Sequence, residues 1–349
     1  NVAMYFSVDT SDGEPVPGLI APDFDIFEDG RLVSIHESGQ TIVNPEVAAT
    51  HYTLVLVDMS GSVSGSDQVP VLVNAANEFV SYLEGYQKVG VYAFDGSTRL
   101  YPMQPFSQSA KASRRGLEKL LKFQPRDPST NLNGAMVKAA EELKRALSKR
   151  KEPLQFGTIV VFTDGTDRAA RVSLDQAVNT LDASNFDIFA IGVGNEIDEH
   201  ALSALGLSGY LLVQDSQALG QAFAVISQRV LAYTRRYYLL SYCSPARAGT
   251  HEVTIRANFE SGEDQLSGQL SYQFDATRFG PRCNPDRPPP FSTAGTTRRG
   301  RGRAKPKRVR LALPGSLDLS ASASVNAEAS GGLQSDVEAP PSNPERGEY

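Results

Sequence analysis

The stretch Leu54-Val55-Leu56-Val57-Asp58-Met59-Ser60-Gly61-Ser62 decides the fold. A short continuous apolar run ends at an acid, and two hydroxyls follow at alternate positions. Such a run reads as a strand buried on both faces of a parallel sheet. Asp58 then stands at the carboxyl end of that strand, where open α/β sheets place their ligands. Asp-x-Ser-x-Ser offers one carboxylate and two neutral hydroxyls within one loop. Hard divalent cations such as Mg²⁺ take oxygen ligands of this kind in octahedral geometry.

Two pieces further along extend the set. Thr130, in Pro128-Ser129-Thr130-Asn131-Leu132, precedes an apolar helical pattern, and Asp164 ends a second buried strand, Thr158–Thr163, just before Gly165. Each piece also has an ordinary reading. Ser62, Ser64 or Ser66 could cap the next helix, Thr130 could cap another, and Asp164-Gly165 could be a turn. Taken together, on three strand-end loops in this order, they resemble the metal-ion-dependent adhesion site of the von Willebrand factor type A domain. The matching positions are Asp58, Ser60, Ser62, Thr130 and Asp164. The resemblance implies a doubly wound, mostly parallel sheet flanked by helices, with a bound Mg²⁺ or Mn²⁺. It also implies a binding or adhesion module rather than an enzyme, with a protein partner that offers Asp or Glu to the metal.

Outward from this centre, the pattern is β/α from His51 to about Thr234. Val69, Leu72, Val73, Ala76, Val80 and Leu83 fall on one helical face, as do Leu132, Met136, Ala139, Leu143 and Leu147. Strands are expected at Tyr52–Val57, Val89–Phe94, Thr98–Met103, Phe186–Val193 and Tyr210–Val213, with helices near Ala110–Leu121, Leu174–Leu181 and Leu219–Leu231. The two flanks read as β. Phe24 and Ile26 alternate with acids up to the Asp29-Gly30 turn, and Leu32–Ile35 is expected to return as the partner strand. Tyr237–Tyr242, Glu252–Ala257 and Leu266–Phe274 follow the α/β part. Neither flank has enough strands to be stable alone. The chain is therefore expected to comprise a discontinuous β-sandwich (1–50 and 235–280), a type A domain inserted in it (51–234), and a disordered tail (281–349). Bacterial proteins of this layout carry an opening similar to Pro15-Val16-x-Gly18-Leu19 followed by Asp23-Phe24-x-Ile26-x-Glu28-Asp29-Gly30.

Charge and composition exclude several functions. The whole chain carries −6, but residues 281–349 hold 11 Lys and Arg against 7 Asp and Glu, leaving 23 basic and 33 acidic residues before them. The folded part is thus acidic and a poor match to nucleic acid. Within the tail, residues 298–310 carry eight cations and no anion, which reads as a solvated linker or a docking site for an anionic surface or polymer. No apolar run is long enough to span a bilayer.

Catalysis is disfavoured by what surrounds Asp58. Met59-Ser60 stands where a phosphatase would want a second acid, no nucleophile elbow or P-loop is present, and no His lies in a metal motif. An intracellular factor that assembles or regulates an ATPase machine is the alternative function. Cys243 and Cys283 could close a 40-residue span as a disulfide or stand as two thiols. The chain opens on Asn1 rather than Met, and a secreted, periplasmic or cell-surface protein whose signal or anchor has been removed is the expected setting.

Overall fold

In the computed structural model the residues described are 1–43, 49–66, 68–83, 87–149, 154–194, 197–214, 218–261, 264–277, 279–280, 283–284, 307–311 and 324–326. The chain opens with β1 (Val2–Thr10), β2 (Phe24–Glu28), β3 (Arg31–Leu32), the short helix α1 (Ile35–Ser38) and β4 (Thr41–Val43). The α/β part then runs β5 (Ala49–Asp58), α2 (Gly61–Ser64), α3 (Gln68–Tyr82), β6 (Lys88–Phe94), β7 (Tyr101–Ser107), α4 (Ala110–Glu118) and α5 (Leu132–Ser148). It continues with β8 (Leu154–Thr163), α6 (Leu174–Asp182), β9 (Asp187–Val193), α7 (Glu199–Leu205), β10 (Gly209–Val213) and α8 (Leu219–Arg235). Last come β11 (Tyr237–Tyr242), β12 (Thr250–Ser261), β13 (Asp264–Asp275), β14 (Lys307–Leu311) and β15 (Ser324–Asn326).

The six-stranded sheet has the order β10-β9-β8-β5-β6-β7, parallel except for β7. Its apolar strands are buried on both sides. Val55 and Val57 of β5 pack with Leu72, Ala76 and Phe79 of α3 and Phe223 and Ile226 of α8. Tyr52, Leu54 and Leu56 face Met136, Ala139 and Leu143 of α5 on the other side. From β5 the chain moves to β6 on one flank and returns with β8 on the other, so the strand order reverses at β5. Crevices for ligands open at the carboxyl end of such a switch point. Asp58 lies there.

The flanking strands make two further sheets, β14-β1-β11-β4 with β15 also on β1, and β13-β12-β2-β3. Their facing sides share a core of Val2, Met4, Phe6 and Val8 with Phe24, Ile26, Leu240, Val253 and Ile255. The outer side of β1 and β11 rests on the α/β body. Phe156 of β8 stacks on Tyr237 at 4.3 Å and on His51 at 4.8 Å. Beside it Arg236, between α8 and β11, is 3% exposed and donates to Asp9 (3.1 Å) and Asp187 (3.5 Å). The sulfurs of Cys243 and Cys283 are bonded, with their Cα atoms 5.8 Å apart.

One local expectation is corrected. Arg31 and Leu32 pair with β2, and the Val33 amide adds a last bond to Ile26 O (2.8 Å). Leu32–Ile35 does not continue as a strand because Ser34 accepts from the Glu37 amide (3.4 Å) and starts α1. In the tail, Lys307–Leu311 lies parallel to Phe6–Thr10, and Ser324–Asn326 antiparallel to Ala3–Tyr5. Both satisfy the amides and carbonyls of an otherwise open edge of β1. Residues 298–306 of the basic run lie outside the described residues. Among the described residues no helix is long and apolar enough to cross a membrane.

The buried joint makes two measurable predictions. Arg236→Met removes the cation facing buried Asp9 and should cost about 3–5 kcal/mol in denaturant unfolding, and adding Asp9→Asn should recover part of it. Burial holds His51 down at about 4 from an ordinary 6.5. A base depressed in this way gives stability that is present above its unfolded value and lost as pH falls through the folded one. At pH 5 the loss should be about 2 kcal/mol relative to pH 8, and His51→Phe should remove that part of the acid sensitivity.

Candidate metal centre

Asp58 is fully buried at the end of β5. Its Oδ1 accepts from the Ser60 amide (2.9 Å) and its Oδ2 from Thr163 Oγ1 (2.6 Å). Burial, reinforced by the charge of Asp164, outweighs these bonds and pushes the carboxyl up to about 7. Ser60 Oγ lies 3.3 Å from Ser62 Oγ, and Ser62 Oγ donates to Asp164 Oδ1 at 3.0 Å. Ser60 occupies the N-cap position of α2, yet its side chain makes no capping bond. Thr130 does not cap either. The N-cap of α5 is Asn131, also without a side-chain bond to the helix. Thr130 Oγ1 faces Gly165, where an added Cβ would sit 3.4 Å away, and the Thr130 carbonyl accepts from the Ala169 amide at 2.9 Å.

The loops that carry the five sequence-derived positions hydrogen bond to each other at the carboxyl ends of β5 and β8. Gly61 N reaches Pro128 O (2.9 Å), joining the first loop to the second. The donor set is oxygen throughout, with two carboxylates and three hydroxyls. The bonds drawn on Asp58 come from hydroxyls and a neutral amide, so none brings positive charge. That chemistry fits a hard divalent cation. Among the described residues there is no group of three His, Cys, Asp or Glu that could hold a metal. The hydroxyls are thus integral to any site.

Asp95, which the motif reading passed over, explains how the crevice keeps its shape. It is also fully buried, at the end of neighbouring β6. Its Oδ1 accepts from Ser97 N (2.8 Å), and its Oδ2 from Arg126 N (2.8 Å), Asp127 N (3.3 Å) and Tyr101 OH (3.1 Å). Burial works against its charge, but these bonds prevail and hold the carboxyl below its usual range. Two buried strand-end acids thus differ in kind. Asp95 is saturated by its own loops, whereas Asp58 is under-neutralised. The signal for Asp95 was present, since Asp95-Gly96-Ser97 repeats Asp-x-Ser after the next strand. Asp127 accepts from Ser129 and from Arg171 (2.9 Å), whose Nε donates to Gly96 O (2.7 Å). A Cβ on Gly96 would stand 2.5 Å from the Asp127 carboxylate, so this approach requires glycine.

The sheet order, the two helical layers and the crevice at the switch point agree with one comparison. Residues 54–224 match the von Willebrand factor type A domain. The α/β body has the fold of that family. No match was found among curated proteins. Solved structures similar to this chain include proximal thread matrix protein 1 from the mussel byssus with a zinc-occupied MIDAS motif, at 16% identity and TM-score 0.45, covering 52% of this chain and 48% of that one. The chain thus spans about half the length of the mussel protein. A type A protein from Catenulispora acidiphila is 11% identical (TM-score 0.44, covering 77% and 72%). The manganese-loaded TRAP protein of Plasmodium vivax is 14% identical (TM-score 0.44, covering 68% and 96%).

The raised Asp58 gives the α/β body a pH dependence. A carboxyl whose folded value lies near 7 rather than 3.8 gives stability that is present below 3.8 and lost as pH rises through 7. A divalent cation bound at the carboxylate would reverse that loss, and a proton would compete with it. Mg²⁺ should therefore raise the melting temperature more at pH 8 than at pH 5.5, with affinity falling about tenfold per pH unit below 7.

Proposed function

We propose that this chain is a metal-dependent protein-binding module of adhesion type. Asp58, Ser60, Ser62, Thr130 and Asp164 hold one Mg²⁺ or Mn²⁺, directly or through water, and an Asp or Glu of a partner completes its shell. The observation that carries this reading is the buried Asp58 carboxyl, bonded by neutral groups and set beside the oxygens of Ser60, Ser62 and Asp164. Mg²⁺ keeps several waters in protein sites, so an exchangeable position is available to a carboxylate from outside. The ion supplies positive charge and a ligand position. The chain's residues orient it and exclude other donors. Type A domains are in general binding modules rather than enzymes, and Asp58 has no acid two residues on that could serve as acid/base.

Residues 1–50 and 235–280 form a discontinuous β-sandwich in this proposal, with the type A domain at 51–234 between them. Strand pairing of β1 with β11 and of β2 with β12 supports it. The setting is secreted, periplasmic or at a bacterial cell surface. Support comes from the Cys243–Cys283 bond, which belongs to oxidising compartments. Residues 298–310 add an anionic surface or polymer as a second contact.

Asp58→Ala should abolish Mg²⁺ binding by calorimetry, since the nearest other acid, Asp164, is already part of the set. Undiminished affinity in that variant would remove the assignment, and a partner retained equally in Mg²⁺ and in EDTA would remove the mechanism. Thiol titration of the denatured, unreduced protein should find no free thiol. Two thiols would favour the intracellular assembly factor. Reduction of the bond should lower stability by ~4 kcal/mol on the chain-entropy model.

A further inference from the structure

The loops around the crevice carry a pattern of charge that the metal alone does not explain. Residues 58–62, 95–100, 124–131 and 164–173 contain five acids and four arginines. None of the acids is exposed, whereas Arg99, Arg126, Arg168 and Arg171 all are. Asp58 and Asp95 are buried, and Asp164 accepts from Ser62. Asp127 is bound by Ser129 and Arg171, and Asp167 accepts from Asn133 N (3.1 Å) and Ala170 N (3.0 Å). The most exposed charges on these loops are therefore guanidinium groups, on a folded chain that is otherwise acidic, although Asp127 keeps 31% of its side chain exposed.

One of these cations is fixed in place, and the backbone that carries two others is held. Arg171 is anchored through Nε to Gly96 O and through Nη2 to Asp127, with its head still 43% exposed. The Arg126 and Asp127 amides are pinned to Asp95, and Arg99 N is held by Ser97 Oγ at 3.3 Å. Guanidinium forks of this kind take carboxylates in bidentate pairs, and pre-organisation reduces the entropy lost in doing so.

Taking the metal reading of the preceding subsection as given, we propose that the partner is an acidic protein segment presenting several carboxylates. One binds the ion and its neighbours pair with Arg99, Arg126 and Arg171. A divalent cation adds two positive charges to loops that already carry four arginines, so ion and partner cooperate beyond their direct bond.

The test uses the full chain and two labelled peptides of equal length, one Glu-rich and one with a single Glu among Gly and Ser. Fluorescence anisotropy reads their binding in Mg²⁺ and in EDTA, and calorimetry reads Mg²⁺ uptake separately. The Glu-rich peptide should bind more tightly, require Mg²⁺, and weaken about tenfold in R99Q/R126Q while the single-Glu peptide is unchanged. Both proteins retain the tail, so the difference reads the loops alone. Equal binding of the two peptides, or no effect of R99Q/R126Q while Mg²⁺ uptake persists, would overturn the inference and leave the metal reading standing. Tighter, EDTA-insensitive binding of a sulfated oligosaccharide lost in the same variant would replace the partner class. Absence of Mg²⁺ uptake by the unaltered protein would overturn both.

Discussion

A carboxylate buried at the end of the central strand is the constraint around which this molecule is arranged. Taking Asp58 out of water disfavours its charge, and hydroxyls and an amide compensate only in part. The neighbouring acid, Asp95, faces the same burial and has a complete set of donors from the loop it organises. The difference between these two residues, one strand apart, separates scaffold from site. It also explains why the surrounding loops are so densely cross-bonded. A crevice left with unbalanced negative charge keeps its shape only if everything around it is held by something else.

The second level of organisation is the joint. β1 and β11 present an apolar face to the sandwich core and a second, smaller one to the α/β body, where Phe156 packs against the stacked rings of Tyr237 and Tyr5. Arg236 is the single residue between α8 and β11. Its pairing with Asp9 and Asp187 ties the first strand of the chain to the helix that closes the type A fold. Apolar contact supplies the adhesion of the two bodies, and the buried ion pair fixes their register.

The α/β body was legible because buried parallel strands are continuous apolar runs and its helices are strongly one-sided. Asp58, Ser60, Ser62, Thr130 and Asp164 were legible from their places after those runs. Less could be read where the deciding contact is distant. Arg236 looks in sequence like any basic residue after a helix, and its role comes from Asp9, 227 positions earlier. Ile35 was assigned to a strand because it is apolar, whereas the hydroxyl of Ser34 stops the strand. Asp95-Gly96 reads equally well as a hairpin turn, and the bonds from Arg126 and Asp127 that give Asp95 its role come from a distant loop. The tail strands on β1 follow from an open edge, a property of the sheet and not of residues 307–311.

The chain leaves the sandwich from β4 and comes back on β11, and these two strands are hydrogen-bonded neighbours. The α/β body is therefore attached by two adjacent strands, unlike a terminal domain that hangs from one. A single linker lets a domain swivel and transmits only tension. Two side-by-side attachments resist twisting, and they divide a pull on the metal face between two strands of one sheet. A partner held at that face would load the sandwich as a hinge plate is loaded by its door. Orientation would survive a force that a lone linker would dissipate in rotation.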